Sequence, residues 1–185
     1  MRILTVNLKR HLTALGPLVL LCGTSFAEPA GPDLLEQLKN AEGAEAARLH
    51  KEIEIVWSRS GSAAMDLLLM RGREAMEAED FALAIEHLTA LTDHAPDFAE
   101  GFHARAEAYF RADLYGPALD DLETALALDP THYDAIFGLG VMFQEFGNLD
   151  RAARLYRKVL ALHPNHANAT QALERMKRDG IGREL

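Results

Sequence analysis

Three prolines, Pro96, Pro130 and Pro164, stand 34 residues apart. A fixed period of that length restricts a chain to folds built by stacking one unit on the next. Aligning residues 65–98, 99–132 and 133–166 on these prolines brings other columns into register. Column eight is small in each block (Gly72, Ala106, Gly140), and column twenty is alanine (Ala84, Ala118, Ala152). Column four is apolar (Leu68, Phe102, Ile136), column eleven holds Ala75, Tyr109 and Phe143, and column twenty-four is large (Leu88, Leu122, Tyr156). Each block contains two apolar stripes at helical spacing, parted by a turn at Glu79-Asp80, Asp113-Leu114 or Gly147-Asn148. Small columns let two antiparallel helices approach, large columns fill the gaps between blocks, and the proline ends the second helix.

These columns resemble the tetratricopeptide repeat (TPR), over residues 65–166. Column seven, usually leucine in that family, is Arg71 and Arg105 before returning to Leu139. The resemblance implies an all-α fold: a right-handed superhelical stack of antiparallel helix pairs, about three TPR units, capped at both ends. Residues 63–166 form the repeat region on this reading. Residues 28–62 supply an amino-terminal helical cap and linker, with helices over Asp33–Asn40 and Ala44–Arg59 and with Trp57, the only tryptophan, as packing anchor. Residues 167–185 form a carboxy-terminal capping helix and tail, its apolar side Ala169, Ala172, Leu173 and Met176, closed by Gly180.

Residues 1–27 read as a cleavable secretory signal. Arg2, Lys9 and Arg10 give a cationic start, Leu12–Leu21 an apolar core, and Ser25-Phe26-Ala27 a cleavage site before Glu28. The apolar stretch is interrupted by Gly16-Pro17 and falls short of the roughly 20 residues that a membrane span needs. The expected location is periplasmic or secreted, with no stable membrane insertion after cleavage. Cys22, the only cysteine, would leave with the signal, so disulfides and thiolate chemistry are not expected.

The chain carries a net charge of −9, and without the cationic leader −12. Such acidity opposes both nucleic acid, which is bound by neutralising phosphates, and anionic lipid surfaces. No motif supports an enzyme. Ser58, Ser60 and Ser62 read as a linker, with Ser62 as the cap of a helix beginning near Ala63. Gly138-Leu139-Gly140 lies inside a helical stripe rather than after a strand. Asp120-Asp121 and the acids at Glu77, Glu79 and Asp80 read as solvated faces. His163 and His166 read as an exposed turn, with no metal or other cofactor expected.

Family members line their concave groove with columns two, five, nine, twelve and thirteen. The resemblance therefore implies Asp66, Leu69, Arg73, Met76 and Glu77; Glu100, His103, Glu107, Phe110 and Arg111; and Asp134, Phe137, Val141, Gln144 and Glu145. Six acids face two arginines there. Chaperone-binding members hold a terminal carboxylate with lysines and asparagines at columns two, five, six and nine, where this chain has neither. Leu69, Arg73, Glu77, His103, Glu107, Phe110, Arg111, Phe137 and Gln144 are the candidate contacts. The expectation is a non-enzymatic adaptor of the bacterial envelope, binding a peptide or protein segment in an acidic, partly apolar groove. The alternative is a small-molecule- or metal-binding accessory of an envelope enzyme assembly, with the His163–His166 turn as its handle.

Overall fold

The structure, a computed structural model, describes residues 32–178. Residues 1–27, where a secretory leader and its cleavage after Ala27 are expected, lie outside the described residues, as do Cys22 and Gly180. Within them the chain forms nine helices: α1 (Pro32–Asn40), α2 (Gly43–Trp57), α3 (Ala63–Glu77), α4 (Phe81–His94), α5 (Ala99–Arg111), α6 (Tyr115–Leu128), α7 (Tyr133–Glu145), α8 (Leu149–Leu162) and α9 (Ala167–Arg178). Helices α3–α8 are three stacked pairs that follow the 34-residue blocks, and α9 packs on α8. Among the described residues no helix is long and apolar enough to cross a membrane.

The small columns act as the spacing requires. A Cβ added at Gly140 would lie 2.7 Å from the Tyr156 ring, and one at Gly72 would collide with Leu88. Column eight therefore stays small because column twenty-four of the paired helix fills the space against it. The three pairs turn at column fifteen, where Glu79 (φ 59°), Asp113 (φ 60°) and Gly147 (φ 73°) are left-handed. That twist lets the next amide reach back and close the first helix: Asp80 N to Ala75 O at 2.9 Å, Leu114 N to Tyr109 O at 2.8 Å, Asn148 N to Phe143 O at 2.8 Å.

Column sixteen then caps the second helix, but only twice. Asp80 accepts from Leu83 N and Asn148 from Arg151 N, whereas Leu114 has no side-chain cap. Its backbone (φ −94°, ψ 68°) matches that of Asn148 (φ −86°, ψ 69°). Leu114→Asp should therefore raise stability by about 1 kcal/mol in thermal unfolding. An unchanged or lowered melting temperature would show that the exposed leucine contributes packing instead.

Column seven shows how an arginine replaces an apolar residue. Arg105 of α5 makes a two-pronged bond to Asp121 of α6, Nε at 2.7 Å and Nη2 at 2.8 Å. Phe102 and Tyr109 lie against its guanidinium at 5.6 and 5.7 Å. Asp121 is buried, which corrects its assignment to a solvated face; Asp120 beside it is exposed. Arg71 in the first pair is exposed.

The amino-terminal pair does not sit over the first repeat. Leu35 and Leu38 of α1 join Leu49, Ile53 and Trp57 of α2 in one core with Tyr133, Ile136 and Tyr156 of the third repeat. α1 packs on α8, and Asn165 Nδ2 donates to Ala41 O at 2.7 Å. Leu67 and Met70 on α3 remain exposed. Burying Leu49, Ile53 and Trp57 stabilises this docking by roughly 1.5–3 kcal/mol per side chain.

Candidate functional site

Helix α2 lies along the inner helices of the stack, and a cavity of about 1250 Å³ opens between them. Its inner wall comes from α3, α5 and α7: Arg73, Met76, Glu77, His103, Glu107, Phe110, Arg111, Phe137 and Val141 all line it. The opposite wall comes from α2 and its linker, including Lys51, Glu54, Ile55 and Arg59. Seven of the nine candidate contacts are brought together here. Leu69 is instead buried in the core with Ala84 and Leu88. Gln144 does not line the cavity either; it accepts a hydrogen bond from Tyr156 Oη at 3.0 Å.

Two of the column-two acids, counted from sequence as free groove charges, are used to join repeats. His132 sits at the N-cap of α7 and takes the Ala135 amide on Nδ1 at 3.2 Å. Its proton therefore sits on Nε2, which donates to Glu100 Oε2 at 2.7 Å. His166 repeats the arrangement one period on. Its Nδ1 takes the Ala169 amide at 3.1 Å and its Nε2 lies 3.4 Å from Asp134 Oδ1. The first block has Phe98 in place of the histidine, and Asp66 is held by Ser60, amide at 2.8 Å and hydroxyl at 2.6 Å. Thus Ser62 occupies the N-cap of α3 but makes no side-chain cap bond.

Glu100 is the most heavily engaged group. It is buried and accepts from Arg73, His132 and His103, whose Nδ1 lies at 3.2 Å. Burial alone would raise its pKa, but the charge of His103 and the hydrogen bonds from His103 and His132 hold it well below the usual carboxylate range. For His103, burial favours the neutral ring, and the Glu100 charge and hydrogen bond overcome it, pushing its pKa up to about 9. Asp134 is likewise lowered: burial opposes ionisation, while the His166 hydrogen bond and neighbouring imidazoles favour it.

Histidines from both walls meet here. The Trp57 ring of α2 lies 3.9 Å from His132 at 9°, and its Nε1 donates to Asp129 Oδ2 at 3.1 Å. His50 of α2 bonds Tyr133 Oη at 2.8 Å and stacks on His163 at 5.1 Å. His163 and His166 are both buried, which corrects the exposed turn expected from sequence. Burial, with His166 and His50 nearby, lowers the His163 pKa to about 4. These imidazoles are scattered in sequence, and no short motif unites them. The legible signal was periodic: His132 and His166 share column thirty-four, each paired with a column-two acid.

Glu100, His103 and His132 place ligand atoms within 4.8 Å of one another, but the hydrogen bonds disfavour metal binding. A neutral imidazole that ligates through Nε2 carries its proton on Nδ1. In His132 and His166 that nitrogen already faces a backbone N–H. The arrangement serves as a charge-assisted clasp between repeats.

A sequence model described as "Tetratricopeptide repeat" matches residues 69–120 and 103–167. A TPR repeat-containing protein of Rhizobium etli is 27% identical over 139 residues, 75% of this chain and 68% of that protein. Small glutamine-rich tetratricopeptide repeat-containing protein 2 of Saccharomyces cerevisiae is 32% identical over 108 residues, 58% of this chain but 31% of its own length. Among solved structures, the first TPR of Spaghetti (RPAP3) bound to the HSP90 peptide SRMEEVD is 27% identical with a TM-score of 0.60, covering 64% of this chain and 94% of that one. The Sgt2 TPR domain of Aspergillus fumigatus is 26% identical with a TM-score of 0.60, covering 64% and 80%. With its three stacked helix pairs in register with this repeat, the chain belongs to the tetratricopeptide repeat family.

Proposed function

We propose that the chain is a non-enzymatic interaction module of the bacterial cell envelope that docks a protein or peptide segment in its groove. The observation that carries this is the cavity of about 1250 Å³, larger than the roughly 300–1,000 Å³ of small-ligand pockets. Its floor of Met76, Phe110, Phe137 and Val141 offers apolar anchors, and peptide recognition commonly combines such anchors with polar specificity. A similar structure holds an HSP90 peptide. That peptide is acidic, whereas this groove has no lysine or asparagine at columns two, five, six and nine of the three repeats. Arg73, the fixed cation there, is engaged by Glu100. A different ligand charge follows. The envelope location rests on the leader pattern of residues 1–27.

The test is a crosslinking pull-down from the native envelope fraction, with Phe110→Ala/Phe137→Ala as the folded control. A partner captured by the wild type and lost in the double variant supports the groove. A partner kept by both moves the contact to another face, and no partner at all favours a small ligand.

A further inference from the structure

The exposed residues of α4, α6 and α8, the second helices of the three pairs, lie away from the cavity. Two of these helices carry opposite charge. α6 holds Asp120, Asp121 and Glu123 and no cation, whereas α8 holds Arg151, Arg154, Arg157 and Lys158 against the acid Asp150. Asp121 is bound by Arg105, and Arg151 lies over the Phe143 ring at 5.3 Å. Asp120, Glu123, Arg154, Arg157 and Lys158 are exposed, and among the described residues they form no ion pair.

These charges are matched by position. Column twenty-two is Asp120 in the second repeat and Arg154 in the third, and column twenty-five is Glu123 and then Arg157. Residues three apart share one helix face, so each helix presents its pair of charges at the same height. The first repeat has Glu86 and Thr89 in these columns, which places the reversal of sign between α6 and α8. Asp150 stands at column eighteen, where α6 has Gly116, and Lys158 at column twenty-six, where α6 has Thr124. Neither position sets like charges against each other.

An acidic ridge beside a basic ridge is complemented by a basic ridge beside an acidic one at the same spacing. The face itself has that pattern when turned by 180° about an axis that runs along the helices between α6 and α8. Column twenty-two of α8 then meets column twenty-two of α6 in the other copy, column twenty-five meets column twenty-five, and the symmetry repeats both contacts. Ala127 and Ala161, both exposed at column twenty-nine, keep the two ridges low there. An anionic membrane, by contrast, would meet Asp120 and Glu123 beside the cations, and a basic surface would meet Arg154 and Arg157.

We propose that the face formed by α6 and α8 is an interface for a second copy of this chain, closed by Arg154–Asp120 and Arg157–Glu123 ion pairs across a two-fold axis. It is independent of the groove, which stays open in both copies because none of these residues lines the cavity.

Sedimentation velocity and light scattering of the full chain test the interface. At low ionic strength the wild type should run at twice the monomer mass, and about 1 M salt should dissociate it, since exposed ion pairs are screened there. Arg154→Glu/Arg157→Glu should raise the dimer dissociation constant about tenfold or more, and so should Asp120→Arg/Glu123→Arg, because each sets like charges against each other. Combining all four substitutions exchanges the two ridges and should restore the dimer. All variants are compared at unchanged circular dichroism. A wild type that stays monomeric, a dimer indifferent to either pair, or a combination that does not restore it would each overturn the interface. A monomer that sediments with anionic lipid vesicles would overturn it as well and assign the cations to lipid.

Discussion

Trp57→Ala should cost about 3–5 kcal/mol in urea unfolding followed by circular dichroism. The ring is 6% exposed, lies 3.9 Å from His132 and 4.7 Å from Tyr133, and donates to Asp129 at 3.1 Å. Removing it leaves a cavity where α2 meets the second and third repeats and takes a donor from a buried carboxylate. Asp129 keeps its Oδ1 bonds to the Thr131 amide and hydroxyl at 2.8 and 2.6 Å, so the turn itself should survive. Trp57→Phe retains most of the stacking and loses the donor, and should cost about 1–2 kcal/mol. A cost below about 1 kcal/mol for the alanine variant would mean that α2 does not dock through this ring.

Glu100→Gln should be comparably severe near neutral pH, about 3–5 kcal/mol, because it leaves His103 and Arg73 without their shared counter-charge. Its pH signature separates it from a packing defect. His103 is raised from 6.5 to about 9 in the folded chain. Its contribution is therefore whole below pH 6.5 and is lost as pH rises through 9, by up to about 3 kcal/mol. Glu100 is lowered, so its carboxylate stays ionised across that window. His163 acts on the acid side. Depressed from 6.5 to about 4, it withdraws stability as pH falls through that interval, since the unfolded chain then binds the extra proton. Wild-type stability should thus peak between about pH 6 and 7 and decline on both sides. Glu100→Gln should flatten the alkaline limb and remove the loss that Glu100 itself causes below pH 4.5, while leaving in place the His163 loss between pH 6.5 and about 4. A wild-type profile flat from pH 6.5 to 9 would contradict the clasp.

The parts legible in sequence are those that the period repeats. Gly140 against Tyr156 and Gly72 against Leu88 recur at the same columns because each repeat solves the same packing problem. Proline and the left-handed column fifteen mark the turns for the same reason. Residues that meet across repeats escape this logic. Trp57 and His132 are 75 positions apart, and no amphipathic pattern in α2 says which surface its apolar stripe will cover. The stripe announced burial, and a terminal cap was the simplest way to provide it. Charge misled for a related reason. Glu100 and Asp134 occupy groove columns, but the histidine at column thirty-four of the same block, which caps the following helix, uses each of them. Arg105 departs from an apolar column because Asp121 lies opposite it on α6. Composition counts charges, whereas the groove presents only those that no neighbour consumes.

Hydrogen exchange of the α2 backbone in the full chain tests most directly whether this helix is a fixed wall. Its buried face, in one core with Tyr133, Ile136 and Tyr156, requires that its amides open with the third repeat, and the ties at Ala41, Ser58 and Asp129 hold its two ends. Protection of α2 within about tenfold of α7, lost from α2 alone in Trp57→Ala, is the result expected. Amides of α2 that exchange at the rates of an unfolded peptide, while α7 remains protected, would contradict the two-walled groove.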